Sequence, residues 1–120
     1  MEEKILASFT SLEETLSQQI HALYISQLGH SPQKVICNLL DKSLTIVVEH
    51  PTTPPERLLI ESHKNDLAEE VSWNLYKAIE PYMKAIIEAV VRVPVVDLIG
   101  TSSIDSDRTS IVAVLADKPQ

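Results

Sequence analysis

Four histidines, one cysteine and a late pair of aspartates are the residues of this 120-residue sequence whose chemistry calls for explanation. His21, His30, His50 and His63 include no two at i, i+3 or i, i+4 spacing, the arrangement that sets two imidazoles on one helix face. A zinc site would have to be assembled from distant segments around the single sulfur ligand, Cys37, so no metal is expected. Cys37 alternates with Val35 and Leu39 in an apolar run and reads as a buried thiol, not a nucleophile. Asp105 and Asp107, in "GTSSIDSDRT", are hard oxygen ligands. A calcium loop of the EF-hand type would also need a bidentate acid at its twelfth position and helices on both sides. Strand-like runs flank this stretch instead, and Gly, Ser and Asp are what a solvated hairpin connection contains. With Gly29 and Gly100 as the only glycines there is no phosphate-cradling loop, and no Ser-His-Asp set is legible. No catalytic residue and no cofactor is expected.

A stretch without charge offers recognition in place of catalysis. From Thr15 to Gln33 there is no Asp, Glu, Lys or Arg, in a chain where 22% of residues are charged. Solvated helix faces normally carry charges, and neutral groups cost less to desolvate than ions do. The face bearing Ser17, Gln18, Gln19, His21, Ser26 and Gln27 is therefore the expected docking surface, for another protein or for a second copy of the chain. Gln18, His21, Tyr24 and Ser26 are assigned to it. Tyr24 would be its aromatic anchor, although an aromatic at helical spacing also suits a core.

The remaining composition bounds the class. A 44% apolar content suits a globular chain, and its length suits a single domain over residues 1–120. The formal charge of −7 comes with ten basic residues scattered singly. That excludes nucleic acid and direct docking on anionic lipid as partners. No apolar run approaches the roughly 18 residues of a spanning helix, so no direct membrane insertion is expected. "MEEKILASF" lacks the basic flank and long apolar stretch of a secretory signal. A cytoplasmic location is the expectation.

Spacing supplies the elements that must position these residues. Ser11 with Glu14 forms a potential capping box, and Leu12, Leu16, Ile20, Leu23, Tyr24 and Leu28 follow at helical intervals. Gly29 and then Pro32 end that helix, which runs from about Leu12 to Leu28 with a further extension through "EEKILASF". "KVICNLL" and "LTIVVEH" around Asp41 read as a hairpin whose second face is partly covered. Pro54 or Pro55 suits the first turn of a long helix over Glu56 to about Val90. Its apolar stripe is Leu67, Val71, Leu75, Ala78, Ile79 and Tyr82, continued by Ile86, Ile87 and Val90; "ESHKND" weakens the pattern and marks a break or a kink, and Pro81 kinks the helix or starts a new one. Val93–Ile99 and Thr109–Leu115 form a second hairpin, joined by Gly100–Arg108. The predicted fold is α+β, in the order α-β-β-α-β-β. An antiparallel sheet of two hairpins is packed by an N-terminal helix and a long Pro-kinked helix. The two αββ halves read as related by a pseudo-twofold.

Read together, "LGHSPQKVICNLLDKSLTIVVEHPTTPPERLL", "LYKAIEPYMKAIIEAVV" and "VPVVDLIGTSSIDSDRTSIVAVLAD" resemble the MpsC-like family of small bacterial proteins. The features that match are Leu28-Gly29 followed by Pro32, the hairpin around Asp41, and Thr53, Pro54 and Glu56 opening a helix. Pro81 ahead of "KAIIEAVV" and the Asp-rich terminal hairpin match as well. The resemblance covers about residues 10 to 117. It implies an accessory component of a membrane system that generates membrane potential and takes up dissolved inorganic carbon as bicarbonate, and it carries over no catalytic residue. Arg92 departs from the family's Gly before the third strand, and "GTSS" replaces an acidic Ser-Asp pair. The expected function is thus a non-catalytic accessory or regulatory module, held at the inner face of the membrane by proteins of a transport complex. A homo-oligomer is a further expectation. A sensor of bicarbonate or a nucleotide near Gly100–Arg108 is the alternative, and a small enzyme with an unrecognised cleft a weaker one.

Overall fold

The computed structural model describes the backbone of residues 2–119 and the side chains of residues 9–119. Helix α1 (Glu2–Leu28) leads into strands β1 (Lys34–Leu40) and β2 (Ser43–Glu49). Two helices follow, α2 (Pro54–Glu61) and α3 (Asn65–Val91), and then strands β3 (Val95–Ser103) and β4 (Arg108–Leu115). The strands form one antiparallel sheet in the order β1-β2-β4-β3. That order reads the same from either edge when the hairpins are exchanged, as the pseudo-twofold reading expects. α1 lies against β1, α3 lies against β3, and the two helices touch each other.

One face of the sheet supplies half of the core. Val35, Cys37 and Leu39, Leu44, Ile46 and Val48, and Ile111, Ala113 and Leu115 are all buried, because alternate strand residues share a face. From above, α1 contributes Leu16, Ile20, Leu23 and Tyr24, and α3 contributes Tyr76, Ile79, Met83, Ile87 and Val91. Gly29 takes a left-handed φ of 64° and donates to the Ile25 carbonyl, ending α1 as expected.

Several expectations change. The capping box at Ser11 does not form, because α1 continues upstream through it; the Ser11 carbonyl instead accepts the Thr15 hydroxyl at 3.0 Å. "ESHKND" is a true break, with His63 at φ 61° between α2 and α3, so the order is α-β-β-α-α-β-β. The buried stripe of α3 keeps the expected Ile79 and Ile87 but is otherwise rotated: Leu67 and Tyr82 are exposed, and Ala68, Tyr76, Met83 and Val91 face inward instead. α3 remains a single helix through Pro81, although the Lys77 carbonyl loses its amide partner there. The terminal connection is only Ile104–Asp107, because Gly100–Ser103 belong to β3. A glycine sits within that strand because a Cβ at position 100 would run into the ring of Tyr76. Among the described residues no element packs on the outer face of the sheet, which was expected to be partly covered.

Candidate functional site

The predicted docking residues separate into two groups. Gln18 and His21, one turn apart on α1, line a shallow groove with Ser17, Ala22, Ile25 and the start of β1. Ile25 is 48% exposed there, an apolar contact among neutral polar groups. The only charged side chain in the groove is Lys34 at its rim. His21 Nε2 lies 2.9 Å from the Ser31 hydroxyl. Ser26 is exposed further along the helix, its hydroxyl donating to the Leu23 carbonyl at 3.2 Å. Tyr24 is on the opposite side. At 2% exposure it belongs to the core and presents nothing to a partner. The helical period explains this: position 24 is one turn from the buried Ile20, whereas 18, 21 and 25 lie on the far face.

Behind α1, Tyr24 helps to line a small polar cavity, about 20 Å³, with Glu56, Ser72, Tyr76, Ser102 and Thr109. Glu56 is 4% exposed. Its Oε1 accepts the Thr53 amide at 3.1 Å and the Thr53 hydroxyl at 2.7 Å, and its Oε2 accepts the Ser72 hydroxyl. The carboxylate thereby ties the first turn of α2 to α3. Thr109 takes a hydrogen bond with Tyr24, and its hydroxyl is 3.1 Å from that of Ser102. The Tyr76 hydroxyl is buried without a hydrogen-bond partner. The cavity has room for one water, and that hydroxyl is the group in need of it. Burial pushes both tyrosine hydroxyls well above their ordinary range, and the Glu80 carboxylate adds to the effect at Tyr76. Burial likewise pushes up the Cys37 thiol. All three groups are held in their protonated, weakly nucleophilic forms.

The third feature was not legible in the sequence. Asp107, expected in a plain solvated turn, is a hub. Its Oδ1 accepts the Thr52 amide at 3.2 Å and the Thr52 hydroxyl. Its Oδ2 accepts His50 Nδ1 at 3.0 Å and Arg57 Nη2 at 3.3 Å, and its carbonyl accepts the His50 amide at 2.9 Å. His30 Nε2 in turn donates to the His50 carbonyl at 2.8 Å. Partial burial alone would raise the Asp107 carboxyl; Thr52, His50 and Arg57 together outweigh it and hold the group below its ordinary value. Asp107 thus fastens the tip of the second hairpin to the end of the first and to α2. Asp105 joins no such network and lines an open cleft beside Arg57, Glu61 and Asp107. Three acids against one arginine, itself paired with Asp107, make a surface that repels bicarbonate and phosphate.

Among the described residues no group of three or more His, Cys, Asp or Glu side chains converges to hold a metal ion, and no helix is long and apolar enough to cross a membrane. No curated protein and no solved structure gives a significant match. A family model does match, over residues 9–117, under the description "Na+-translocating membrane potential-generating system (MpsC)". Nearly the whole chain is covered, and the protein belongs to the MpsC family.

Proposed function

We propose that the protein is a non-catalytic accessory module of a membrane-potential-generating system, one that also serves bicarbonate uptake, and that it docks on a protein of that system at the cytoplasmic face of the membrane. The observation that carries this reading is the groove on α1. Gln18, the half-buried His21 and Ile25 form a neutral surface, with Lys34 the one charged residue lining the groove, in a chain whose other exposed helix faces are charged. Such a surface is desolvated at little expense by a protein partner and is not attracted to anionic lipid. The non-catalytic part is supported by the protonated state that burial imposes on Tyr24, Tyr76 and Cys37.

Pull-down of the tagged chain from detergent-solubilised membranes tests the reading. Gln18→Glu places a charge in the contact, where a stranded ion weakens association by several kcal/mol, and recovery of the transport proteins should be lost. Ser26→Glu, on the same helix outside the groove lining, should weaken recovery less. Folding should be spared in both, since both side chains are exposed. Undiminished recovery of the same proteins with Gln18→Glu would move the interface off α1.

A further inference from the structure

We infer that a second copy of the chain stacks on the outer face of the sheet, the two sheets face to face, with the twofold axis running along the strands between β2 and β4. This surface meets the α1 groove only at Lys34, which belongs to both; Gln18, His21 and Ile25 lie outside it.

The register lays the outer face out as four rows crossing all four strands. Three rows are almost free of charge. Ile36, Val47, Ser110 and Thr101 form one, and Asn38, Thr45, Val112 and Ile99 the next. The third runs from Leu40 through Ser43 and Val114 to Asp97, which carries its only charge. Ile99 is 58% exposed, Val112 40% and Leu40 77%. An antiparallel sheet with one face in water normally alternates apolar with polar residues, whereas here β-branched and apolar residues occupy both faces.

The fourth row decides what covers the surface. It reads Lys34, Glu49, Arg108, Ser103 across the sheet. Turning a copy over about an axis along the strands lays β1 on β3 and β2 on β4 of its mate. Glu49 then opposes Arg108 of the second copy twice over, Lys34 opposes Ser103 and Asp97 opposes Leu40, both of these charges lying exposed on edge strands, and no two like charges meet. The same operation sets Thr45 on Val112 and Asn38 on Ile99. An axis across the strands would instead set Arg108 on Val114 and Glu49 on Ser43, leaving both central charges without an opposite charge across the contact. Only the first orientation gives the central Glu49 and Arg108 each an opposite charge across the contact, as an isologous contact requires.

Area and edges agree. Four strands about 4.8 Å apart and seven residues rising about 3.3 Å each give a footprint of roughly 19 by 23 Å before side-chain relief. That lies below the stable range and among weak, transient interfaces, so the dimer is reversible. Addition at the edges is opposed: the Leu39 amide of β1 is held by Glu13 at 2.7 Å, and the Val95 amide of β3 by Glu88 at 2.8 Å.

Sedimentation velocity of the full chain over a concentration series tests the proposal. The wild type should show a reversible monomer–dimer equilibrium. Val112→Lys should remain monomeric, and Ile99→Lys, on an edge strand, serves the same purpose if Val112→Lys fails to fold. Glu49→Arg should weaken the dimer about tenfold or more, and Glu49→Arg with Arg108→Glu should restore it. A chain that stays monomeric at every concentration overturns the inference. So does a dimer insensitive to Val112→Lys and to the charge exchange, or one lost in Gln18→Glu instead.

Discussion

Replacing Asp107 by Ala should unfold the protein well before any other exposed-loop substitution does. Thr52 is 6% exposed, and the substitution leaves its amide and hydroxyl without their acceptor, worth about 1–3 kcal/mol. The His50 and Arg57 side chains are about half exposed, so their pairs add only about 0–1 kcal/mol each. Asp107 also sits at φ 50°, where Ala is worse than Asp by about 1 kcal/mol. The sum is about 2–6 kcal/mol, or a fall of roughly 6–18 °C in Tm at this chain length. Asp107→Asn keeps an acceptor for Thr52 and tolerates the left-handed backbone, so it should lose only about 1 kcal/mol. Urea unfolding followed by circular dichroism reads both differences. The pH dependence supplies an independent check. A carboxyl held low in the folded state contributes stability that is present above its unfolded value of about 3.9 and disappears as pH falls through the folded value. The gap between wild type and Asp107→Asn should therefore be full at neutral pH and close below about pH 4. An Ala variant within about 0.5 kcal/mol of wild type, or a gap unchanged in acid, would refute the hub.

Three further outcomes follow from the same geometry. Arg92 ends α3 at φ 62°, and Arg92→Gly should raise stability by about 0.5–1 kcal/mol in the same urea experiment. Gly100→Ala drives a methyl into the Tyr76 ring and should destabilise by about 1–3 kcal/mol; a double-mutant cycle with Tyr76→Leu should recover part of that loss, because the shorter side chain vacates the space. Glu56→Ala removes the acceptor of Thr53 and Ser72 from a buried site and should lower stability by about 2–4 kcal/mol, whereas Glu56→Gln should lose less.

What the sequence disclosed was what neighbours in the chain decide among themselves. Gly29 before Pro32 ends α1, Asp41 and Lys42 turn the first hairpin, and Pro54 opens α2, each through backbone preferences within a few residues. The neutral face of α1 was equally legible as an absence over consecutive positions, though which of its residues face out depended on the core: Tyr24 was assigned to the surface and belongs inside. At "ESHKND" the pattern allowed a break or a kink, and the break is decided by His63, whose left-handed backbone its residue type does not announce. The stripe of α3 was misjudged in part because two apolar stripes compete along it, and only packing against α1, α2 and β3 chooses between them. The Asp107 hub was out of reach. It gathers residues 50, 52, 57 and 107, and a lone Asp in a polar turn looks the same whether it meets water or Thr52.

The sheet order also has a kinetic meaning. Each hairpin closes over a short turn, two residues in the first and four in the second, and such units form within microseconds. The central pairing of β2 with β4 joins Ser43 to Val114 and Glu49 to Arg108, contacts that must wait for both hairpins and the helices between them. Loop closure over that distance brings no reward until the Ile46–Ile111 rung and its neighbours are in place. The barrier to folding therefore lies at the seam between the halves. Truncating Ile46 or Ile111 should slow folding, whereas equal losses at Val35 or Val95, out on the edge strands, should mainly speed unfolding.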